Sequence, residues 1–231
     1  MSVNENIYSR TEMMLGKDKT DVLRSSHVAI FGVGGVGGYA AEAIARAGVG
    51  KITVIDPDCI SVTNINRQII ALHSTIGEKK VTAIQKRISD INPGCTVFTY
   101  DLFYSEDCKD AIDFTSFDYV IDAIDSVKSK VLIAVQAKEK NVPVISAMGA
   151  GNKLDPTRFT VTDIFKTQGD PLARAMRNAL RREGIDKLKV VFSPEEPFGE
   201  RERRCPGSIS FVPGAVGLIL AGEVIRNLTK I

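Results

Sequence analysis

The stretch HVAIFGVGGVGGYAAEAIARAGVGKITVIDPD, residues 27–58, decides the fold. A short apolar run ends at Phe31, a glycine-rich turn follows, and a second β-branched run occupies residues 52–55. The segment between them, residues 37–47, has the length and composition of a helix. A strand, a glycine turn, a helix and a strand in this order predict a βαβ unit of the kind that binds nucleotides.

The glycine turn and the acid after the second strand predict the nucleotide site. Glycines allow a tight turn and a close approach of backbone N–H groups to phosphate at the positive end of a helix. The carboxylate of Asp56, 24 residues after Gly32, can accept hydrogen bonds from ribose hydroxyls. NAD(P), FAD and ATP all fit this pattern, and a glycine turn needed only for helix packing is the plainer alternative. The glycines concerned are Gly32, Gly34, Gly35 and Gly37.

The alternation of short apolar runs and amphipathic segments continues through the first two thirds of the chain. It predicts a Rossmann-like, doubly wound α/β fold with a mainly parallel sheet. The predicted strands are residues 28–31, 52–55, 96–100, 119–121 and 143–146, and the predicted helices are 37–47, 78–91 and 128–140.

The pattern changes after Gly151. TRFTVTDIF, residues 157–165, indicates another strand, and Asp170 with Pro171 begins a basic helix that extends to Glu183. A loop rich in Pro, Gly and charge follows at residues 193–208, and Pro213 can open a last helix that ends near Leu228. We therefore expect a single domain, 1–231, with a nucleotide-binding part, 1–150, and a C-terminal extension of strands and helices, 151–231.

Bulk properties exclude several classes of protein. The net charge of +2 over 231 residues gives no general attraction to nucleic acid. The longest apolar run, residues 211–222, is shorter than the ~20 residues of a membrane span, and the N-terminus has no signal peptide pattern, so we expect a cytoplasmic protein that does not enter a membrane. Four cysteines without a C-x-x-C pair argue against a disulfide framework and against a structural zinc site.

Polar residues that a dehydrogenase would not need follow the nucleotide motif, in VTNINRQIIALHSTIGEKK, residues 62–80. Arg67 and Lys80 are expected near the carboxyl ends of the strands, where two cations suit phosphoryl chemistry better than hydride transfer. Asp125, which follows the fourth strand, is the candidate ligand for Mg²⁺, and Asp122 is expected to orient the same loop or the helix that starts at Ser126. The plainer alternatives are a solvated helix residue for Lys80 and a helix cap before Ser126 for Asp125.

These motifs together resemble the ThiF/MoeB/E1 superfamily of adenylating enzymes, in the same order and at compatible spacing. The resemblance rests on the glycine motif, Asp56-x-Asp58, TNINRQ, Gly77-x-x-Lys80 and DAIDS. It implies that the enzyme binds ATP and Mg²⁺ and that a substrate carboxylate attacks the α-phosphate, which gives an acyl-adenylate and pyrophosphate. The implied binding residues are the glycines, Asp56, Asp58, Asn64, Arg67, Gln68 and Lys80, with Asp125 on the metal.

The resemblance also implies a homodimer. Tyr8, Ser9 and Arg10 match the start of the superfamily's N-terminal YSRQ segment, whose arginine reaches the neighbouring subunit's site. Here Thr11 replaces the glutamine, which weakens the assignment of Arg10 as a catalytic residue.

Within the superfamily, the chain looks most like the tRNA threonylcarbamoyladenosine dehydratases, above all in residues 149–182. That branch implies adenylation of the threonylcarbamoyl carboxylate on adenosine 37 of tRNA. Attack from within the same side chain then expels AMP and closes a ring, with net loss of water. The rival hypotheses are activation of the C-terminus of a small sulfur-carrier or ubiquitin-like protein, and a nucleotide-sensing protein without catalysis.

Two further features bear on these alternatives. Residues 172–191 contain six Lys or Arg against two Asp or Glu, a strip that could bind tRNA phosphates or could simply be a solvated helix face. Cys205, which follows two arginines, is a possible thiol for thioester or persulfide chemistry with a sulfur-relay partner, although the cyclisation needs no thiol. The candidate tRNA-binding residues are Arg174, Arg177, Arg181 and Arg182.

Overall fold

The computed structural model describes residues 6–199 and 206–231 of the chain. The described residues form seven strands: β1 His27–Phe31, β2 Lys51–Ile55, β3 Thr96–Tyr100, β4 Tyr119–Asp122, β5 Val144–Ala147, β6 Thr160–Asp163 and β7 Lys189–Phe192. They also form seven α-helices: α1 Ser9–Leu15, α2 Lys17–Ser25, α3 Gly37–Arg46, α4 Lys80–Ile91, α5 Val127–Glu139, α6 Pro171–Arg182 and α7 Phe211–Thr229.

The strands make one sheet in the order β3-β2-β1-β4-β5-β7-β6, in which β6 runs antiparallel to β7 and the other described pairs are parallel. From β1 the chain moves outward through β2 and β3, and then returns to the other side of β1 to form β4 and β5. The strand order therefore reverses between β1 and β4, and open parallel sheets bind ligands in the crevice at such a point. The predicted Rossmann-like, doubly wound α/β fold is confirmed.

Helices cover both faces of the sheet. The side chains of α3, α4 and α7 form the main core on one face, and those of α5 and α6 pack on the other. A Cβ atom on Gly217 of α7 would lie 2.3 Å from the carbonyl oxygen of Val36, so α7 and the start of α3 touch backbone to backbone. A side chain larger than glycine at residue 217 would push the two helices apart.

The C-terminal helix α7 is apolar enough, by length and composition, to cross a membrane. Its residues at helical spacing are fully buried in the main core, which is the pattern of a helix packed against a sheet. The helix begins two residues before Pro213, which the sequence had placed at its start. The buried residues are Val212, Val216, Leu220 and Val224.

The elements predicted for residues 1–150 are present, with ends that differ by one or two residues. The largest shift is in α4, which begins at Lys80 and not at Glu78. The backbone before it is extended because Lys79 forms a bridge with Cys59 and the carbonyl of Glu78 accepts from Ile60 N at 2.9 Å. Strand-like pairing thus delays the start of the helix.

Sequence reasoning was less accurate after residue 150. The predicted strand 157–165 is only β6, because turns capped by Asp155 and Asp163 occupy both of its flanks. β7 was missed, and it pairs with β5, so the two parts of the chain share one sheet. The predicted loop 193–208 includes residues 200–205, which lie outside the described residues; the rest of the loop contains no helix or strand.

The N-terminal helices α1 and α2 were also missed, because their sequences are polar and short. Tyr8 anchors α1: its hydroxyl donates to Asn92 Oδ1 at 2.7 Å, and its ring fills the space that a side chain on Gly48 would take. The guanidinium of Arg24 lies 4.5 Å from the centre of the same ring. Gly48 and Asn92 precede β2 and β3, so Tyr8 and the start of α1 lie at the amino-terminal edge of the sheet.

Candidate nucleotide-binding site

A cavity of about 460 Å³ lies over the carboxyl ends of β3, β2, β1, β4 and β5. These strand ends span four inter-strand spacings, or roughly 19 Å. Five segments that follow these strands line the cavity, and residues 64, 67 and 68, Lys80 and residues just before and within α7 complete its walls. The lining segments include residues 102–104, 55–58, 32–36, 123–126 and 150–151, together with residues 206–208 and Pro213.

The glycine turn brings the start of α3 to the cavity. Gly32 has φ +83°, and a Cβ atom on Gly37 would lie 1.8 Å from the carbonyl oxygen of Gly32, so neither position accepts a side chain without rearrangement. Gly34 has only the Gln68 amide nitrogen near its Cβ position, at 3.7 Å, and lines the cavity. The turn thus leaves backbone room at the positive end of a helix, where phosphate binds favourably.

Asp56 connects the end of β2 to the glycine turn. Its Oδ2 accepts from Val33 N at 2.8 Å, and its Oδ1 accepts from Asp58 N at 2.9 Å. A carboxylate has about four acceptor positions, so capacity is left for a ribose hydroxyl. The predicted position of Asp56, at the strand end beside the glycine turn, agrees with the structure.

Lys80 is buried, and its Nζ lies 2.6 Å from Asp58 and 3.6 Å from Asp56. Because the side chain points into this acidic pair at the cavity wall, the alternative of a solvated helix residue is wrong. The cation is held within the cavity by a partner, Asp58, that is itself 62% exposed. An arriving phosphate could therefore share Lys80 with Asp58.

The residues from TNINRQ form the wall next to the glycine turn. Arg67 packs with its Cγ 3.2 Å from the Cβ position of Gly35, and its guanidinium donates to Thr63 O at 2.9 Å. Asn64 accepts from Ser61 N through its side-chain oxygen, which leaves its NH₂ group for a ligand. Asn64, Arg67 and Lys80 thus line one cavity, together with Gln68.

Three buried side-chain atoms have no hydrogen-bond partner among the described residues, and all three belong to residues that line this cavity. They are Gln68 Oε1, Tyr104 OH and Ser208 Oγ. Burial raises the pKa of Tyr104, so its hydroxyl stays protonated and able to donate. An unpaired buried polar group costs about 1–3 kcal/mol, and a polar ligand in the cavity would remove that cost.

The loop after β4 rests on a buried polar cluster. Asp122 is 1% exposed, accepts from Ser146 Oγ at 2.6 Å and lies 3.0 Å from Lys130 Nζ. Lys130, which belongs to α5, also donates to Ile124 O at 3.0 Å, so the cluster connects Asp122 to both the loop and the helix that follows it.

Asp125 follows this cluster and is exposed at the cavity. The cap of α5 is Ser126, whose Oγ accepts from Ser129 N at 3.4 Å, so the alternative of Asp125 as the cap is wrong. Within residues 6–199 and 206–231 there is no group of three or more His, Cys, Asp or Glu that could hold a metal. A magnesium ion here would therefore take Asp125 and phosphate oxygens as ligands, a set that suits this ion.

Arg10 lies outside the cavity of its own chain. It is exposed on α1, which Tyr8 fixes at the amino-terminal edge of the sheet, whereas the cavity is at the carboxyl edge. Arg10 can therefore serve a nucleotide site only in another subunit.

On the basic face of α6, two of the four candidate tRNA-binding arginines make local contacts. Arg177 donates to the Thr167 hydroxyl, and Arg181 stacks over the Phe165 ring at 5.3 Å. Both arginines are therefore engaged in contacts within the chain, although the Arg181 side chain remains exposed to solvent. Arg174 and Arg182 are exposed and make no described ion pair. Cys205, the candidate thiol, lies outside the described residues.

Sequence reasoning missed residues 102–104 and 206–208 of the cavity. Their position after β3 was a usable signal for the first set, because ligands bind beyond strand ends. The second set is distant in sequence from the other lining segments, and no local pattern announces its contact.

Comparison with known proteins supports this picture. The ThiF family model matches residues 8–231. A tRNA threonylcarbamoyladenosine dehydratase of Bacillus subtilis is 43% identical over 240 residues, covering 96% of this chain and 94% of the relative.

Solved structures of the Escherichia coli tRNA N6-threonylcarbamoyladenosine dehydratase are also similar. The complex with AMP has a TM-score of 0.91 at 33% identity and covers 100% of this chain and 98% of that chain. The complex with ATP has a TM-score of 0.90 at 34% identity and covers 96% and 93%. The molybdopterin-synthase adenylyltransferase of Escherichia coli is more distant, at 27% identity over 96% of this chain and 81% of the relative.

Proposed function

The chain belongs to the ThiF family, and we propose that it catalyses the ATP-dependent dehydration of N6-threonylcarbamoyladenosine at adenosine 37 of tRNA. The proposal depends most on one observation: the three unpaired buried polar atoms among the described residues all line the cavity at the switch point of the sheet. The likeness to dehydratases, one of them solved with ATP and with AMP, identifies the nucleotide and the acceptor.

The proposed residue roles follow from position in the cavity. The glycine turn and α3 receive the phosphates, and Asp56 accepts from the ribose. Arg67, Lys80 and the Asn64 amide stabilise the negative charge that develops as the triphosphate is cleaved. Magnesium bound to Asp125 would neutralise part of the phosphate charge and align the leaving group.

The reaction has two steps. An oxygen of the threonylcarbamoyl carboxylate attacks the α-phosphorus, and pyrophosphate leaves with the electron pair of the broken P–O bond. A nucleophile in the same side chain then attacks the activated carbonyl carbon, the C–O bond to AMP breaks, and a ring closes. The second step needs no external nucleophile, because an intramolecular group has a high effective concentration.

The rival function is activation of a sulfur-carrier or ubiquitin-like protein, for which the distant adenylyltransferase is the comparison. That function would require a carrier with a C-terminal carboxylate and would make Cys205 essential. The higher identity to dehydratases over nearly the whole chain favours the tRNA reaction. A non-catalytic nucleotide sensor would tolerate replacement of Lys80 and Asp125.

The proposal extends to partners. The exposed Arg174 and Arg182 on α6 are the cations best placed to contact tRNA phosphates, with Arg181 as a further contact. The position of Arg10, at the sheet edge away from its own cavity, favours a homodimer in which each subunit completes the other's site. A tRNA substrate also favours a cytoplasmic location.

The test is to incubate the protein with ATP, Mg²⁺ and tRNA carrying threonylcarbamoyladenosine, digest the tRNA and weigh the nucleosides. We expect a product lighter by one water, with release of AMP and pyrophosphate. Lys80→Ala should abolish the product, whereas Lys79→Ala, a neighbouring cation that pairs with Asp101 outside the cavity, should retain it. A mass unchanged after incubation, with AMP transferred to a carrier protein, would refute the proposal.

A further inference from the structure

One wall of the cavity has no part in the mechanism above. It consists of residues 150–151, which follow β5, and residues 206–208, which precede α7. We call it the β5-side wall. It holds one of the three unpaired buried atoms, Ser208 Oγ.

The strand order places this wall opposite the adenosine. Asp56 follows β2, the glycine turn follows β1, Asp125 follows β4, and the β5-side wall comes next in the sheet. A nucleotide whose ribose lies at β2 and whose phosphates lie over β1 and β4 extends toward β5. The group that attacks the α-phosphorus must then occupy the space beside the β5-side wall.

The wall is held in place by hydrogen bonds in both directions. Gly207 N donates to Asn152 Oδ1 at 2.6 Å, and Asn152 N donates to Gly207 O at 2.8 Å. From the other side, Asn66 Nδ2 donates to Ser208 O at 3.0 Å. A Cβ atom on Gly151 would lie 2.7 Å from Pro206 Cβ, so the two segments of the wall fit together without rearrangement only with glycine at residue 151.

This framework fixes Ser208 near the phosphate-binding residues. Asn66, which holds the Ser208 carbonyl, also accepts from the Arg67 guanidinium at 3.1 Å. The Ser208 hydroxyl is buried, carries one donor hydrogen and has no partner among the described residues. A carboxylate is a strong acceptor for such a donor.

We propose that the β5-side wall is the acceptor subsite and that Ser208 Oγ donates a hydrogen bond to the carboxylate that is adenylated. This inference rests on the proposed function. Ser208 forms no covalent bond and keeps its proton; it orients one carboxylate oxygen so that the other attacks the α-phosphorus. Ser208 is therefore a specificity-determining residue for the acceptor and not for ATP.

The experiment compares Ser208→Ala with Ser210→Ala in the full-length protein. Ser210 is exposed two residues later and makes no capping bond with its side chain. We expect Ser208→Ala to lower kcat/KM for threonylcarbamoyladenosine tRNA by about 10-fold or more, as for the loss of a hydrogen bond to a charged group. The affinity for ATP, measured by calorimetry without tRNA, should equal that of the wild type in both variants.

A binding measurement separates a subsite from a structural role. The wild type and Ser210→Ala should bind tRNA with the threonylcarbamoyl group more tightly than tRNA with unmodified adenosine, and Ser208→Ala should lose most of that preference. Gly151→Ala, which pushes Pro206 away, should lose it as well while still binding ATP.

The outcomes distinguish the two proposals. If the wild type fails to dehydrate the modified tRNA, the proposed function fails. If the wild type succeeds and Ser208→Ala matches it in kcat/KM and in tRNA preference, the acceptor subsite is refuted. A loss of ATP affinity in Ser208→Ala as large as its loss of kcat/KM would also refute the subsite, because the hydroxyl would then bind the nucleotide.

Discussion

Replacement of Lys130 by methionine tests whether the cluster beneath the loop after β4 holds a buried charge pair. The side chains of Lys130 and Asp122 are 0% and 1% exposed, and their charged atoms lie 3.0 Å apart. Lys130→Met removes the cation and leaves the Asp122 carboxylate with the Ser146 hydroxyl as its remaining side-chain partner. Breaking a buried pair in this way costs about 3–5 kcal/mol.

For a chain of this size, 1 kcal/mol shifts Tm by about 2–4 °C, so the expected loss is roughly 6–20 °C. The assay is thermal and urea unfolding at neutral pH, with Lys128→Met as the matched control, because Lys128 is exposed two residues earlier on the same helix. The control should shift Tm by less than about 2 °C, as surface substitutions usually cost under 0.5 kcal/mol.

The double variant Lys130→Met/Asp122→Asn removes both charges and should recover much of the lost stability. Its recovery distinguishes an unpaired buried charge from a simple packing defect. The reasoning fails if Lys130→Met unfolds within about 2 °C of the control, or if the double variant is less stable than the single one by the full cost of a second substitution.

Three other predictions follow from the described contacts. Gly37→Ala should abolish ATP binding measured by calorimetry and lower Tm, because its Cβ would lie 1.8 Å from the Gly32 carbonyl; retained affinity would contradict the geometry. Although burial opposes it, hydrogen bonds led by the one from Lys189 lower the pKa of Glu223 to about 2 from 4.5. Its stabilisation is therefore complete above pH 4.5 and lost as pH falls toward 2, so the difference in unfolding free energy between wild type and Glu223→Gln should shrink over that range. Arg174→Ala should reduce the salt dependence of tRNA binding by about one counterion without changing Tm. Arg177→Ala should instead lower Tm, because it loses the hydrogen bond to the Thr167 hydroxyl. If both variants change tRNA binding and Tm equally, the assignment of Arg174 to tRNA and Arg177 to packing is refuted.

The nucleotide half of the site could be predicted because its signals are local. The glycine turn, Asp56 and Lys80 each lie next to a strand end or a helix start. Because the carboxyl ends of parallel strands lie at the same edge of a sheet, the alternation of strands and helices in the sequence implies that these residues come together. The same reasoning put Asp122 and Asp125 at the end of the fourth strand; in the structure Asp122 is buried there and Asp125 lines the cavity.

The remainder depends on contacts between distant segments. Hydrogen bonds to Asn66 and Asn152 hold residues 206–208 at the cavity. Asn66 and Ser208 are 142 positions apart in the sequence, and Asn152 and Gly207 are 55 apart, so no local pattern encodes these contacts. Spacing on α6 correctly predicted a helix but could not reveal that Thr167 and Phe165 would engage two of its arginines.

The backbone contact between α3 and α7 sets the order in which the protein can be completed during synthesis. α3 ends at Arg46 and α7 begins at Phe211, so the ribosome makes about 165 residues between them. At about 5–20 residues per second this takes roughly 8–33 s, during which the apolar face of α3 lacks its final cover. The nascent chain therefore exposes the apolar face of α3 until α7 has left the ribosome and can pack against it.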